Sequence, residues 1–292
     1  MPTDDELHAR LFLLHAAEPP APAIHHYVTD RGVVDVVEEI RHGAAPAAVL
    51  REVTRPNARI DDDLRALDRG AARLLTPEDG DWPLGRLTGL ASIGVPLALW
   101  VRGNGSLADL TKFAVTVTGA RASTEYGNTV AGDFSYELAR AGVTVLNGGS
   151  LGVDEAAHRG ALAAQGRTIV VLANGVDLTH PHQHARLYQT VIERGGLLVS
   201  EYPIGTRPTR IRFHARCRLL AALAAATLIV EAGQRSGALA LARVAGELGR
   251  RVYGVPGPIH SMTSKGVNEL LRTGAASVAS SVEHINYQEG VG

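Results

Sequence analysis

Six short apolar runs recur along the chain from residue 113 onward and predict its architecture. They begin near Phe113, Val143, Thr168, Leu197, Thr227 and Val252. They lie roughly 25 to 30 residues apart, and most gaps between them show helical periodicity, as a βαβ series requires. Each run is apolar throughout instead of alternating, which is typical of strands covered by helices on both faces. The pattern predicts an α/β fold with a doubly wound, mostly parallel, Rossmann-like sheet.

The first 70 residues follow a different, helical pattern. Leu7, Leu11 and Leu14 recur at helical spacing, a proline-rich stretch breaks the chain, and further apolar-periodic segments lie at 33–40 and 46–53. These features predict a small N-terminal helical module. Two short strand candidates, at 72–75 and 97–101, follow it, and we expect them to extend the edge of the sheet.

Composition limits the class of protein. The 292 residues are 45% apolar and 20% charged, which suits one large α/β domain with a smaller partner. The net charge of −1 means that any nucleic-acid surface must come from local clustering of arginine and lysine. Asp4, Asp5 and Glu6 precede the first apolar segment, where a secretory signal carries positive charge, and no run approaches the ~20 apolar residues of a membrane span. We therefore expect a cytoplasmic protein without membrane contact.

In a doubly wound sheet, ligands bind beyond the carboxyl ends of the strands, so the residues after each apolar run form the candidate site. Gly119 and Arg121 follow the first run at the start of a predicted helix, where backbone N–H groups and the helix dipole favour an anion. The loop NGGSLG, at 147–152, offers several flexible amides and predicts a second phosphate cradle. The candidate phosphate-binding residues at the strand ends are Gly119, Arg121, Asn147, Gly148, Gly149, Gly152, Ser236 and Gly237.

The most basic segment of the chain, residues 205–218, reads GTRPTRIRFHARCR and contains no acid. Arginines can follow a phosphate backbone while an interleaved aromatic ring stacks on a base, so this composition favours single-stranded nucleic acid. The segment adds Arg212, Phe213, Arg216 and Arg218 to the candidate site. We interpret Cys217, between two of these arginines, as a small packing residue.

Several enzyme and cofactor classes lack their motifs. The chain has no G-x-G-x-x-G dinucleotide fingerprint, no G-x-x-x-x-G-K-[ST] loop and no G-x-S-x-G nucleophile elbow. The alternating histidines of THPHQH, at 179–184, are interrupted by Pro181, which favours a turn into a helix over a metal site. Asp154 and His158 are four residues apart on a predicted helix, and we favour capping and packing roles for them. We therefore expect no catalytic residue, no metal and no cofactor.

Seven segments occur in collinear order between residues 74 and 281, and together they resemble the DprA/Smf family of DNA-processing proteins. They are TGARASTEYG, NGGSLGVDEAAHRGAL, GRTIVVLANGVDLTHP, GGLLVSEYPIGTRP, RFHARCRLLAALA, LIVEAGQRSGALALA and VYGVPGPIHSMTSKGVNELLRTGA. The resemblance implies a non-enzymatic protein that binds single-stranded DNA, protects incoming DNA and loads the RecA recombinase during natural transformation, typically as a homodimer. By position, the family's Gly-Ser-Arg loop falls on 119–121 and its Arg-Asn-Arg element on 216–218.

The pattern along the chain also predicts a domain division. We expect a small helical, SAM-like accessory domain at 1–70, an extended Rossmann-like DNA-binding domain at 71–285 and a tail at 286–292. In contrast to many relatives, we expect no C-terminal winged-helix module.

This chain departs from the family pattern at several site positions. Ala120 replaces a serine, Leu151 an arginine, Cys217 an asparagine and His180 a tyrosine. Losing these groups predicts weaker or altered DNA binding, although the main arginines remain. The alternative is a nucleotide-binding sensor of the same Rossmann-like superfamily, which would use the loops at Arg121 and Gly148 but would not need the basic segment 205–218.

Overall fold

The computed structural model describes residues 2–288 and confirms the predicted alternation of strands and helices. The strands are β1 (Arg73–Leu75), β2 (Leu99–Arg102), β3 (Ala114–Thr118), β4 (Thr144–Asn147), β5 (Thr168–Val171), β6 (Leu197–Ser200), β7 (Ala226–Ile229), β8 (Arg251–Gly254) and β9 (Ser277–Val278). The helices are α1 (Asp4–Ala16), α2 (Pro22–Arg31), α3 (Val33–Arg41), α4 (Ala47–Glu52), α5 (Asp61–Asp68), α6 (Leu84–Leu87), α7 (Leu107–Lys112), α8 (Glu125–Arg140), α9 (Val153–Ala163), α10 (Ala185–Glu193), α11 (Arg210–Ala222), α12 (Gly237–Glu247) and α13 (Lys265–Arg272). Short 3₁₀ turns lie at Thr88–Leu90, His182–His184 and Val282–His284.

One sheet contains all of these strands, in the order β1-β2-β6-β5-β4-β3-β7-β8-β9. The pairs from β6 through β9 are parallel, and the two lead-in strands β1 and β2 extend one edge in antiparallel pairing, as predicted. Strands β3 to β6 lie side by side in chain order, and β7 then pairs with the other edge of β3. The sheet therefore has a topological switch point between β3 and β7, where a crevice opens at the carboxyl ends.

Apolar layers cover both faces of the sheet. Val145 of β4 packs with Phe134 and Leu138 of α8, whereas its neighbour Leu146 packs into the opposite cluster that includes Leu241 of α12. Successive strand residues point to opposite faces, so apolar side chains at both positions require helices on both sides. This explains why the runs are continuously apolar. The helices that follow β3 and β7, α8 and α12, lie on opposite faces of the sheet.

The N-terminal helices pack against the sheet on the side of α10. A capping box between Thr3 and Glu6 begins α1, which places the acidic cluster of the N-terminus in the first turn of a helix. Leu13 of α1 belongs to the same apolar cluster as Trp100 of β2 and Leu198 of β6. The helical N-terminal region is confirmed, and the domain boundary at residue 70 stays a prediction. Within residues 2–288, none of the helices combines the length and the apolar character that crossing a bilayer requires.

Candidate nucleic-acid interface

A cleft of about 810 Å³ lies at the switch point between β3 and β7. Its walls come from the loop after β3, from one side of α11, and from the loop after β7 with the start of α12. Of the predicted site residues, the cleft is lined by Gly119, Arg121, Phe213, Arg216, Ser236 and Gly237. The prediction that the strand ends surround one site therefore agrees with the geometry, and the assignment of a ligand to these residues stays a prediction.

Four arginines make this cleft basic: Arg121, Arg210, Arg216 and Arg235. Arg121, Arg210 and Arg235 are exposed, so their charges are available to a solvated ligand. The acid among the lining residues is Asp154, which is buried, and burial raises the pKa of its carboxyl. The exposed charge of the lining is therefore positive, although the whole chain is nearly neutral.

Phe213 stands at the centre of these charges. The guanidinium carbon of Arg121 lies 4.9 Å from the centroid of its ring, and that of Arg216 lies 5.2 Å away. Thr209 caps the N-terminus of α11, since its side chain accepts a hydrogen bond from the Arg212 amide, and this begins the helix that carries Phe213. An aromatic face beside exposed guanidinium groups combines the two contacts that single-stranded nucleic acid uses.

Arg216 is a buried wall of the cleft, with 7% of its surface exposed. Its Nη1 donates to the carbonyl oxygens of Gly148 at 2.8 Å and Val171 at 3.1 Å. Burial lowers the pKa of this guanidinium, and the neighbouring Asp154 carboxylate opposes that shift. A Cβ on Gly148 would overlap the Arg216 guanidinium, so a larger residue here would force that side chain to shift.

In the loop after β4, which we expected to form a second phosphate cradle, two amides have partners within the protein. The Gly149 amide donates to Oδ1 of Asn147 at 2.8 Å, and the Ser150 amide donates to Oδ2 of Asp154 at 3.0 Å. Oδ1 of Asp154 accepts from the hydroxyl of Thr118 at 2.6 Å. A protein carboxylate therefore occupies the place at the N-terminus of α9 where the helix dipole favours an anion. The sequence favoured a capping role for Asp154, but Gly152 is the N-cap residue and no side chain caps α9; Asp154 lies in the first turn and holds the preceding loop.

A buried carboxylate also shapes the loop after β3. Glu231, at the end of β7, accepts hydrogen bonds from the backbone amide and hydroxyl of Thr124 at 2.9 and 2.7 Å, and from the hydroxyl of Thr263 at 3.0 Å. A Cβ on Gly119 would lie 2.6 Å from the Glu231 carbonyl oxygen. On the other side, Gly152 has φ +77 and packs against the Ala120 and Arg121 carbonyls. These close approaches hold the Arg121 loop in place.

Two of the predicted arginines have protein partners and do not line the cleft. Arg218 is 4% exposed and forms a two-pronged ion pair with the buried carboxylate of Glu201. Arg212 forms a similar pair with Glu18, with Nε–Oε1 at 2.6 Å and Nη2–Oε2 at 2.9 Å. Neither guanidinium reaches the cleft surface, so the structure gives no support to their placement in the site.

The residues that line the cleft but were not in the predicted set include Arg210, His214 and Arg235. Arg210 begins α11, His214 lies between the predicted residues Phe213 and Arg216, and Arg235 follows β7 just before Ser236. The signal for Arg210 and His214 was present, since both belong to the basic segment 205–218. Arg235 could have been found from its position in a strand-end loop.

The turn at His182–His184 and the side chain of Cys217 have structural roles. His182–His184 forms a 3₁₀ turn that leads into α10, as predicted. Among residues 2–288, no group of three His, Cys, Asp or Glu side chains is arranged to hold a metal ion. Cys217 is buried, burial raises the pKa of its thiol, and its Sγ donates to the Phe213 carbonyl at 3.5 Å. This agrees with a packing role.

Comparisons with known proteins cover most of the chain. The sequence profile of the DNA recombination-mediator protein A family matches residues 73–289. A Mycobacterium tuberculosis protein named as a DNA processing protein DprA is 39% identical over 99% of this chain and 77% of its own length. Protein Smf of Escherichia coli is 36% identical over 92% of this chain and 71% of its own.

Two solved structures extend these similarities to the fold. DNA processing protein A from Streptococcus pneumoniae superimposes with a TM-score of 0.76 and 26% identity over 97% of both chains. DNA processing protein A from Helicobacter pylori, whose structure concerns its single-stranded DNA binding mode, matches with a TM-score of 0.63 and 29% identity over 73% of this chain and 93% of its own. The expected Rossmann-like architecture is confirmed.

Proposed function

Because the chain belongs to the DNA recombination-mediator protein A family, which includes the DprA and Smf proteins, we propose that it binds single-stranded DNA as a recombination mediator. The observation that carries the proposal is the stacking of Arg121 on Phe213 at the mouth of a basic cleft at the switch point. The Helicobacter pylori relative, whose structure concerns single-stranded DNA binding, supports the same ligand for this chain.

Each part of the cleft has a separate task in this proposal. The exposed guanidinium groups of Arg121, Arg210 and Arg235 contact phosphate oxygens and release counterions. The ring of Phe213 stacks on a base, which every base permits because each has a π face. The buried Arg216 holds the loop at Gly148 in place and adds positive charge behind the ring. Binding of this kind is strong at low salt and tolerant of sequence.

We extend the proposal by family membership to the pathway. The protein protects incoming single-stranded DNA and loads RecA during natural transformation, acts as a homodimer in the cytoplasm, and catalyses no reaction. It needs no cofactor for these tasks. RecA loading is tested by RecA filament formation on DNA coated with a single-strand-binding protein, with and without this chain. A nucleotide-sensor role is not favoured by the family assignment.

DNA binding is tested by titrating labelled oligo-dT with the wild type and with Arg121→Ala at several salt concentrations. The matched control is Arg140→Ala. Arg140 is exposed at the far end of α8, the helix that follows the Arg121 loop, roughly 24 Å away at 1.5 Å per residue.

The wild type should bind with an affinity that falls as salt rises. Arg121→Ala should weaken binding and reduce the slope of log affinity against log salt by about 0.7, the value for one lost phosphate contact on a single strand. Arg140→Ala should match the wild type. A wild type that does not bind oligo-dT at low salt would overturn the proposal. Equal losses of affinity in Arg121→Ala and Arg140→Ala would show that the cleft is not the binding site.

A further inference from the structure

A smaller cleft of about 270 Å³ adjoins the main one. The two share Arg121, Ser150 and Phe213. The smaller cleft is closed by the loop at Gly149 and Leu151 and by the turn that begins at His180. Its volume lies below the range of about 300 to 1,000 Å³ that small-molecule sites occupy, so it suits one base of a longer strand better than a separate ligand.

The floor of the smaller cleft has few polar groups to offer. The Gly149 carbonyl accepts hydrogen bonds from Nδ1 of His184 and the hydroxyl of Tyr188, both at 3.0 Å. The Gly149 amide donates to Asn147, and the Ser150 amide donates to a carboxylate. The Leu151 side chain, by contrast, is apolar and 41% exposed. A ligand here meets the rings of Phe213 and His180 and the Leu151 side chain, beside the polar side chains of Ser150 and Gln183.

The ring of His180 continues the aromatic surface of Phe213. The two ring centroids lie 5.8 Å apart with planes tilted by 50°, within the range of favourable aromatic pairs. Burial, and then the positive charges of Arg121 and Arg216, lower the pKa of His180. At neutral pH its imidazole is therefore uncharged, and it stacks on a base instead of pairing with a phosphate.

We propose that the smaller cleft is a second base subsite, in which the base next to the one on Phe213 stacks on His180 while Arg121 contacts the phosphate between them. This inference rests on the proposed single-stranded DNA binding. Because every base has a π face, the stacking contact with His180 is open to any base.

The test compares His180→Ala and His180→Phe with the wild type in oligo-dT titrations at several salt concentrations. Loss of one stacked base should weaken binding by about 5-fold to 100-fold in His180→Ala. The slope against salt should remain that of the wild type, because no phosphate contact is removed. His180→Phe keeps an aromatic ring and should bind close to the wild type. The control is His42→Ala, an exposed histidine at the end of α3.

The outcomes separate this inference from the function on which it rests. Wild-type binding together with an unchanged affinity in His180→Ala would overturn the second subsite and leave the DNA proposal intact. A loss in His180→Ala that lowers the salt slope by about 0.7 would overturn stacking, since it would show a phosphate contact instead. Failure of His180→Phe to restore binding would also overturn it. If the wild-type protein bound no oligo-dT, the proposed function would be refuted, and the second subsite with it.

Discussion

Arg218 provides the sharpest test of which arginines in the basic segment are structural. Its Nη1 lies 2.6 Å from Oε2 of Glu201, its second prong contacts Oε1, and its Nε donates to the Gly94 carbonyl at 2.8 Å. Both charged groups are almost completely buried, with 4% and 3% of their surfaces exposed. We predict that Arg218→Met reduces stability and leaves DNA affinity close to that of the wild type.

The expected loss of stability in Arg218→Met follows from the Glu201 carboxylate, which stays buried without its partner. Removing one partner of a buried ion pair leaves the other charge without compensation, which costs about 3 to 5 kcal/mol. The Gly94 carbonyl loses its donor as well, which adds about 1 to 3 kcal/mol if water does not replace it. Against a total stability of about 5 to 15 kcal/mol, this loss is large. The pair of Arg212 with Glu18 is less buried, so Arg212→Met should cost less than Arg218→Met.

The measurement is the free energy of unfolding in urea, followed by oligo-dT titration under conditions where each variant is folded. The double variant Glu201→Leu with Arg218→Met removes both charges and should recover much of the stability lost in Arg218→Met. The reasoning would be refuted if Arg218→Met unfolded like the wild type but no longer bound oligo-dT. That result would return Arg218 to the DNA site.

Two further predictions concern the buried groups behind the cleft. In Gly148→Ala the new Cβ would lie 2.1 Å from Nη2 of Arg216, so we expect a loss of about 1 to 3 kcal/mol in urea unfolding and weaker oligo-dT binding. Gly246→Ala, at a helical site with open space, is the control and should be neutral or slightly stabilising. His158 is buried, and burial lowers its pKa to about 3, so the unfolded state, with a pKa near 6.5, binds a proton that the native state refuses. Stability should fall by up to about 1.4 kcal/mol per unit as the pH drops below about 6.5 and level off near pH 3, and His158→Leu should show a smaller decrease between pH 7 and 5; equal decreases would contradict this.

The basic segment shows which part of the site the sequence could predict. Its residues form α11, and positions two apart on a helix point about 200° away from each other. Arg216 faces the cleft near Phe213, three residues earlier, so Arg218 must point away, toward Glu201. Applying helical spacing to the segment would have selected Arg210 and Phe213 and excluded Arg218. The composition of the basic segment indicated a nucleic-acid ligand. The helical period was needed to decide which of its residues face the cleft.

The loop after β4 shows what the sequence could not predict. Its glycines and its position before a helix are typical of an anion site, and both features are present in the fold. Two of its amides, those of Gly149 and Ser150, nevertheless donate to Asn147 and Asp154. Asp154 is held by Thr118 of the neighbouring strand, a contact that depends on the register of β3 against β4. Sequence spacing carries no information about that register.

The four departures from the family pattern all line the two adjoining clefts. Ala120 and Cys217 line the main cleft, while Leu151 and His180 line the smaller one. Three of them put an apolar or weakly polar side chain where the family has a hydroxyl, an amide or a guanidinium, and His180 keeps a ring. Arg121, Arg210 and Arg235 are exposed at the mouth, and Phe213 supplies a ring, so phosphate and stacking contacts are available although these donors are absent. Since phosphate and stacking contacts are still available, we expect these departures to weaken DNA binding and not to abolish it.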